Sequence, residues 1–179
     1  MSSLSKSPKG TTPPMVIRIA HVEDAEAMVM FLADLYDDPD LDTVPKRAPP
    51  TREEERQVIR RANDLGRAFF LLAYAGDQLV GLLDLWAAEQ PESRHGGRLG
   101  MSVARDWRGR GVGRRLIEEA VARARDWRGF CRIELEVAAW NTAGIALYEG
   151  AGFRHEGRRV KAMSLRGSPE DILMMAMVW

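Results

Sequence analysis

The chain has 179 residues, with 26 Lys and Arg balanced by 26 Asp and Glu and 45% hydrophobic residues, the size and make-up of one soluble globular domain with a real core. Zero net charge argues against a nucleic-acid binder, which usually carries a large basic excess. The single Cys131 excludes an internal disulfide, and no apolar run approaches the roughly 18–20 residues needed to span a membrane, so a cytoplasmic protein is expected.

Residues 1–14, MSSLSKSPKGTTPP, have little to bury and read as a flexible tail, leaving 15–179 as a single domain. Met15 to Ile19 alternates as a first strand, and a helix follows through Ala27, Met28, Phe31, Leu32 and Leu35. The stretch DLYDDPDLD then carries five Asp, at 34, 37, 38, 40 and 42, and reads either as a lure for a cationic amine or as a solvated loop. Thr51 with Glu54 is a capping box that opens a charged second helix running to about Asp64. Two apolar runs, 67–74 and 78–86, are joined by Ala75-Gly76-Asp77 in the pattern of an antiparallel hairpin. After a polar loop over 87–97, Leu99, Met101 and Val103 alternate with Gly100 and Ser102 as a further strand.

A glycine turn and an amphipathic helix come next. Leu116, Ile117, Ala120, Val121, Ala124 and Trp127 form its apolar stripe, and Glu119 and Arg123 form an i,i+4 pair on the other face. Residues 131–137 alternate strictly, with Ile133, Leu135 and Val137 on one face and Arg132, Glu134 and Glu136 on the other. Asn141-Thr142-Ala143 starts a short helix through Tyr148, stopped by Gly150 and Gly152. Two strands, around 154–165 and 172–179, finish the chain. One Cys and three scattered His show no metal-ligand spacing, so no metal is expected.

Between positions 98 and 128 nine Arg stand against Asp106, Glu118, Glu119 and Asp126, a basic region in a neutral chain. A glycine-rich turn entering a helix exposes amide N–H groups at the positive end of the helix dipole, where phosphate binds. Arg108, Arg110, Arg114 and Arg115 crowd around Gly109, Gly111 and Gly113, which suits an extended, multiply charged anion. The competing account is a capped surface helix with a solvated Arg face. A P-loop is excluded because no Gly-Lys-Ser or Gly-Lys-Thr occurs. A dinucleotide fingerprint fails on the spacing of the glycines and on the five residues between Val103 and Gly109.

Arg108-Gly109-Arg110-Gly111-Val112-Gly113 matches, position by position, the acetyl-CoA motif Q/R-x-x-G-x-G/A of the GCN5-related N-acetyltransferases. The segment 133–153, IELEVAAWNTAGIALYEGAGF, closely resembles the second block of that family, L-x-V-x-x-x-N-x-x-A-x-x-L-Y-x-x-x-G-F. The resemblance covers about Ile17 to the end. It implies an α/β fold with a mixed, mostly antiparallel central sheet flanked by helices, the acyl-CoA N-acyltransferase fold. It also implies direct transfer of an acetyl group from acetyl-CoA to a primary amine, on a small amine or amino acid or on a protein N-terminus or lysine. An acyl-CoA-binding regulatory module with a degenerate site is the alternative. The resemblance allows a homodimer.

The resemblance further implies that Met101, Ser102 and Val103 offer backbone groups to the pantetheine arm. It assigns the pyrophosphate to Arg108, Gly109, Arg110, Gly111, Val112, Gly113 and Arg114, and pantetheine or its neighbouring backbone to Asn141. Tyr148 stands where many members keep a tyrosine beside the coenzyme sulfur, as a general acid; the competing role is core packing. Glu136, twelve residues before Tyr148, matches the base of the ribosomal-protein N-terminal acetyltransferase-like subset, and its competing role is that of a solvated carboxylate beside Glu134. His95, Glu89 and Asp84 are the other candidate bases.

Overall fold

The computed structural model describes residues 14–38, 48–165 and 168–179. Its main elements are β1 (Met15–Ile19), α1 (Ala25–Tyr36), α2 (Arg52–Leu65), β2 (Ala68–Ala75), β3 (Gln78–Ala87), β4 (Gly96–Val103), α3 (Val112–Arg125), β5 (Arg132–Ala138), α4 (Thr142–Ala151), β6 (Arg154–Leu165) and β7 (Ser168–Val178). They follow the predicted order. The seven strands form one sheet, β1-β2-β3-β4-β5-β7-β6, antiparallel throughout except for the parallel β4–β5 pair. Positions 1–13, Asp40, Asp42 and Gly167 lie outside the described residues, and with them most of the expected tail and part of the Asp-rich stretch.

The sheet is covered on both faces, which is why β2 and β3 are near-continuous apolar runs. On one face Phe69, Leu71, Leu83, Leu85, Leu99, Ile133 and Leu135 bury against the Leu116–Ile117–Ala120 stripe of α3. On the other, Phe70, Leu72, Leu79 and Leu82 bury against Met28 and Phe31 of α1 and Ile59 and Ala62 of α2. Each fully buried Leu, Ile or Phe is worth about 1.5–3 kcal/mol over exposure. The Thr51–Glu54 capping box forms, with the Glu54 amide donating to Thr51 Oγ1 at 3.3 Å and the Thr51 amide to Glu54 at 2.7 Å.

Two boundaries differ from the sequence expectation. β4 starts at Gly96 because Gly97, opposite Ala87, permits close backbone approach; a Cβ there would stand 2.6 Å from the Trp86 carbonyl oxygen. β7 starts at Ser168, ahead of Pro169, where the strand pairs only with β6 and the missing proline N–H breaks no second ladder.

At the start of α1 a polar cluster sits against the core. Asp24, 8% exposed, accepts from Arg18 at 2.7 and 2.6 Å, from the His21 amide at 2.8 Å and from the Tyr74 hydroxyl at 3.1 Å. Burial alone would raise this carboxyl, but the donors from Arg18, His21 and Tyr74 outweigh it and hold it below the usual carboxylate range. Its stabilising contribution is present above the unfolded pKa near 4 and fades as pH falls through the lower folded value. Asp24→Asn should cost about 1–3 kcal/mol in denaturant titrations at pH 7, with the gap to wild type closing toward pH 2–3. A pH-independent gap would mean that shape, not charge, is what Asp24 supplies.

Candidate active site

The parallel pair β4–β5 is bonded only at its start, Gly96 to Arg98 against Arg132 to Glu134. β4 then runs on to Val103 and β5 to Ala138 without pairing with each other, so the strands part and leave backbone groups of Met101, Ser102 and Val103 half-buried along an opening. An extended ligand arm placed there can bond β4 as an added strand would.

The opening leads to the glycine turn. Gly109 (φ 70°) and Gly111 (φ 81°) hold the left-handed conformation that favours glycine, and an added Cβ at either would meet nothing within 4 Å. No side chain caps α3, and its first amide bond runs from Arg115 to the Gly111 carbonyl at 3.1 Å. The amides of Val112, Gly113 and Arg114 precede that bond and have no helical partner. Open space, first-turn amides and the helix dipole together make an anion cradle. Gly113 has a different task. It is buried, and a Cβ would come within 2.8 Å of Leu147, so its smallness lets α3 and α4 pack closely.

The four arginines divide. Arg108 donates from Nε to the Val103 carbonyl at 3.2 Å and from Nη2 to Asp38, so it ties the turn to the end of α1 rather than standing free for phosphate. Arg115 donates to the Met15 carbonyl at 3.2 Å. Arg110, over the Trp107 ring at 5.3 Å, and Arg114 are exposed beside the cradle. Asp38 is thus turned inward. With Asp34 it borders a cavity of about 510 Å³ whose walls include Met30, Phe31, Leu79 and Trp107.

Tyr148 lies on α4 in the core of the α3 face, 8% exposed, with its ring 5.8 Å from that of Phe153. Burial pushes its phenol up to about 12, so at neutral pH it holds a proton. Asn141 caps α4, its Oδ1 accepting from the Gly144 amide at 2.9 Å. That bond uses one lone pair of the oxygen, which leaves its second lone pair and the amide nitrogen for the expected ligand contact.

Glu136 is on the opposite face of β5, on the stretch beyond the last β4 pair. Its Oε2 receives Arg98 at 2.9 Å and Arg159 at 2.6 Å, and the side chain is 24% exposed. Glu134 instead joins Arg132 and is half exposed. The other candidate bases separate by position. Glu89 is exposed and paired with Arg61 at 2.6 Å. His95 is exposed at the closed end of the β4–β5 pair. Asp84 lies on β3 opposite Gly100, at the point where the strands part. Glu55 was missed as part of a charged helix, although it is 6% exposed; the available signal was its position one turn before Ile59 on the apolar side. Among the described residues no group of three His, Cys, Asp or Glu gathers as a metal site, and no helix is long and apolar enough to cross a membrane.

The family model described as "Acetyltransferase (GNAT) family" matches residues 30–153, which contain the glycine turn, both splayed strands and Tyr148. The chain belongs to the GNAT acetyltransferase family. An acetyltransferase of the GNAT family from Streptococcus pneumoniae superposes with a TM-score of 0.86 at 25% identity, covering 93% of this chain and all (100%) of that one. A ribosomal-protein-alanine N-acetyltransferase from Brucella melitensis gives 0.81 at 26% identity, covering 92% and 99%. The ribosomal protein bS18-alanine N-acetyltransferase of Salmonella typhimurium is 36% identical over 77 residues, 43% of this chain and 51% of that enzyme. The matches span about half or less of the length of these curated relatives. As in other GNAT members, the sheet is mixed and mostly antiparallel with helices on both faces.

Proposed function

We propose that this GNAT protein moves an acetyl group from acetyl-CoA directly to a primary amine, on a small molecule or at a protein N-terminus or lysine. The observation that carries the reading is the continuity of an open anion cradle at Gly109–Gly111 with the parting of β4 and β5, flanked by Tyr148 on one face and Glu136 on the other. Acetyl-CoA supplies the activated thioester when bound. The cradle amides and the exposed Arg110 and Arg114 suit its phosphates, and the edge of Met101 to Val103 that β5 leaves unpaired, apart from the Val103 carbonyl held by Arg108, suits its pantetheine amides.

The remaining chemistry is proton movement. An alkyl ammonium has a pKa near 10, so about one molecule in a thousand is nucleophilic at pH 7. Glu136 takes the proton, directly or through a water, from the face that α1 and α2 leave open. Arg98 and Arg159 fix that carboxylate by one oxygen. Tyr148 gives a proton to the departing thiolate from the other face, its buried hydroxyl being protonated at working pH.

Thiol release with a panel of amines tests the activity, and Glu136→Gln tests the base. The variant keeps the shape and should lower kcat/KM at pH 7 by tenfold or more, with the defect shrinking as pH approaches the amine's own pKa. Glu134→Gln, on the same face but tied to Arg132, should do less. Equal, pH-independent losses in both would return Glu136 to a charged neighbour. Thiol release with no amine, despite coenzyme binding, would favour a regulatory module.

A further inference from the structure

We propose that Glu55 and Asp84 form the acceptor-recognition element of this site, a carboxyl pair for a primary ammonium whose carbon bears no free carboxylate. The inference rests on the acetyl-transfer reading and narrows its substrate class. Asp84 projects from β3 on the face that carries Glu136, opposite Gly100. Its Oδ1 lies 2.6 Å from where a Cβ on Gly100 would stand, so the carboxyl rests against β4 in space that only glycine leaves clear. Gly100 is two residues beyond Arg98, the last β4 residue paired with β5. Asp84 therefore borders the opening itself.

Glu55, on α2, lies near enough to feel the charge of Asp84. It is 6% exposed, and its carboxylate has no hydrogen bond or ion pair among the described residues. Burial first, and the charge of Asp84 second, raise its pKa. Burial likewise raises Asp84, against the opposing influence of Trp86, its own amide and Arg98. Arg98 reaches Asp84 only through its charge, since its guanidinium, like that of Arg159, pairs with Glu136. Glu55 is thus buried without a partner and Asp84 is partly buried, and a fold that buries an unpaired acid gives up stability that an apolar residue would not.

An ammonium brings what is missing, one positive charge and three N–H donors. Docked on Asp84 and Glu55, it would sit at the mouth of the β4–β5 opening with Glu136 across from it to take the proton. A carboxylate on the same carbon would meet both acids and be repelled. Alkylamines, amides of amino acids and peptide N-termini fit this description, and free α-amino acids do not.

The test compares alanine, alaninamide and a short alanine-starting peptide amide by thiol release, in wild type, Asp84→Asn and Glu55→Gln. Wild type should prefer alaninamide and the peptide over alanine. In Asp84→Asn that preference should fall at least tenfold, a comparison of ratios in which each amine's own ionisation cancels. The peptide-to-alaninamide ratio then decides whether the source is a chain terminus or a small amine. Glu55→Gln should weaken the preference less while raising Tm at pH 7.5; a merely structural pair would lose Tm instead. Both variants should keep the thermal shift given by acetyl-CoA. If no amine is turned over although acetyl-CoA still stabilises the protein, the transfer reading fails, and the pair is judged by binding. With coenzyme A present, alaninamide must then raise the Tm of wild type more than alanine does, and must lose that advantage in Asp84→Asn. An unchanged alaninamide-to-alanine ratio in Asp84→Asn, or equal effects of the two amines on wild type, overturns the inference.

Discussion

Gly111→Asp should abolish the thermal stabilisation that acetyl-CoA gives, lowering its affinity at least tenfold, about 1.4 kcal/mol, while the protein still folds. Gly111 is the residue from which α3 starts, at φ 81° and with no atom within 4 Å of a prospective Cβ. A side chain therefore has room, and the fold loses only the roughly 1 kcal/mol of forcing a non-glycine residue into this conformation. The carboxylate is what matters. It would lie beside the first-turn amides of Val112, Gly113 and Arg114 and present an anion to the dipole end proposed to hold phosphate. Gly129→Asp is the matched control, because Gly129 has φ 74° and equal open space but lies beyond the other end of α3. That variant should lose similar stability and keep the acetyl-CoA shift. A full shift in Gly111→Asp, measured by thermal unfolding with and without acetyl-CoA, would remove the cradle from the binding site.

Tyr148→Phe should lower kcat at least tenfold, about 1.4 kcal/mol in the barrier, with the KM for acetyl-CoA nearly unchanged. The ring is buried against Phe153, so phenylalanine preserves the packing, and the variant should match wild-type stability within about 1 kcal/mol. What disappears is one proton, held at neutral pH because burial pushes the phenol up to about 12. A departing thiolate, with an ordinary thiol pKa near 8.5, is a good enough leaving group for residual turnover without a donor. That is why a partial loss rather than abolition is expected. Unchanged kcat in Tyr148→Phe would assign the residue to packing alone.

Much of this protein could be read from local patterns. The alternation in β4 and β5, the Thr51–Glu54 box and the Leu116–Ile117–Ala120 stripe each lie within one element, and a backbone segment responds to its own periodicity wherever it sits. The glycine turn was legible for the same reason. Left-handed φ at Gly109 and Gly111 is a property of those residues, and the helix that follows supplies its own free amides. Boundaries slipped at β4 and β7 because Gly97 and Pro169 signal loops, while cross-strand neighbours let both join the sheet.

Side-chain partnerships were different. Arg108 read as one more arginine of the turn, and only the fold brings Asp38 to it from 70 positions away. Asn141 is committed through one oxygen to its own helix, and Glu136 is held by Arg98 and Arg159 from two other strands. Glu55 read as one more acid on a charged helix, and only the packing of α2 over β2 and β3 buries it near Asp84. Sequence alone determined the elements, their order and the glycine turn, because those follow from short-range backbone sterics and hydrophobic period. The tertiary structure decided which charges are paired, which are buried and where β4 and β5 separate, because electrostatic energy depends on distance and solvent exposure, and neither is defined until remote segments meet.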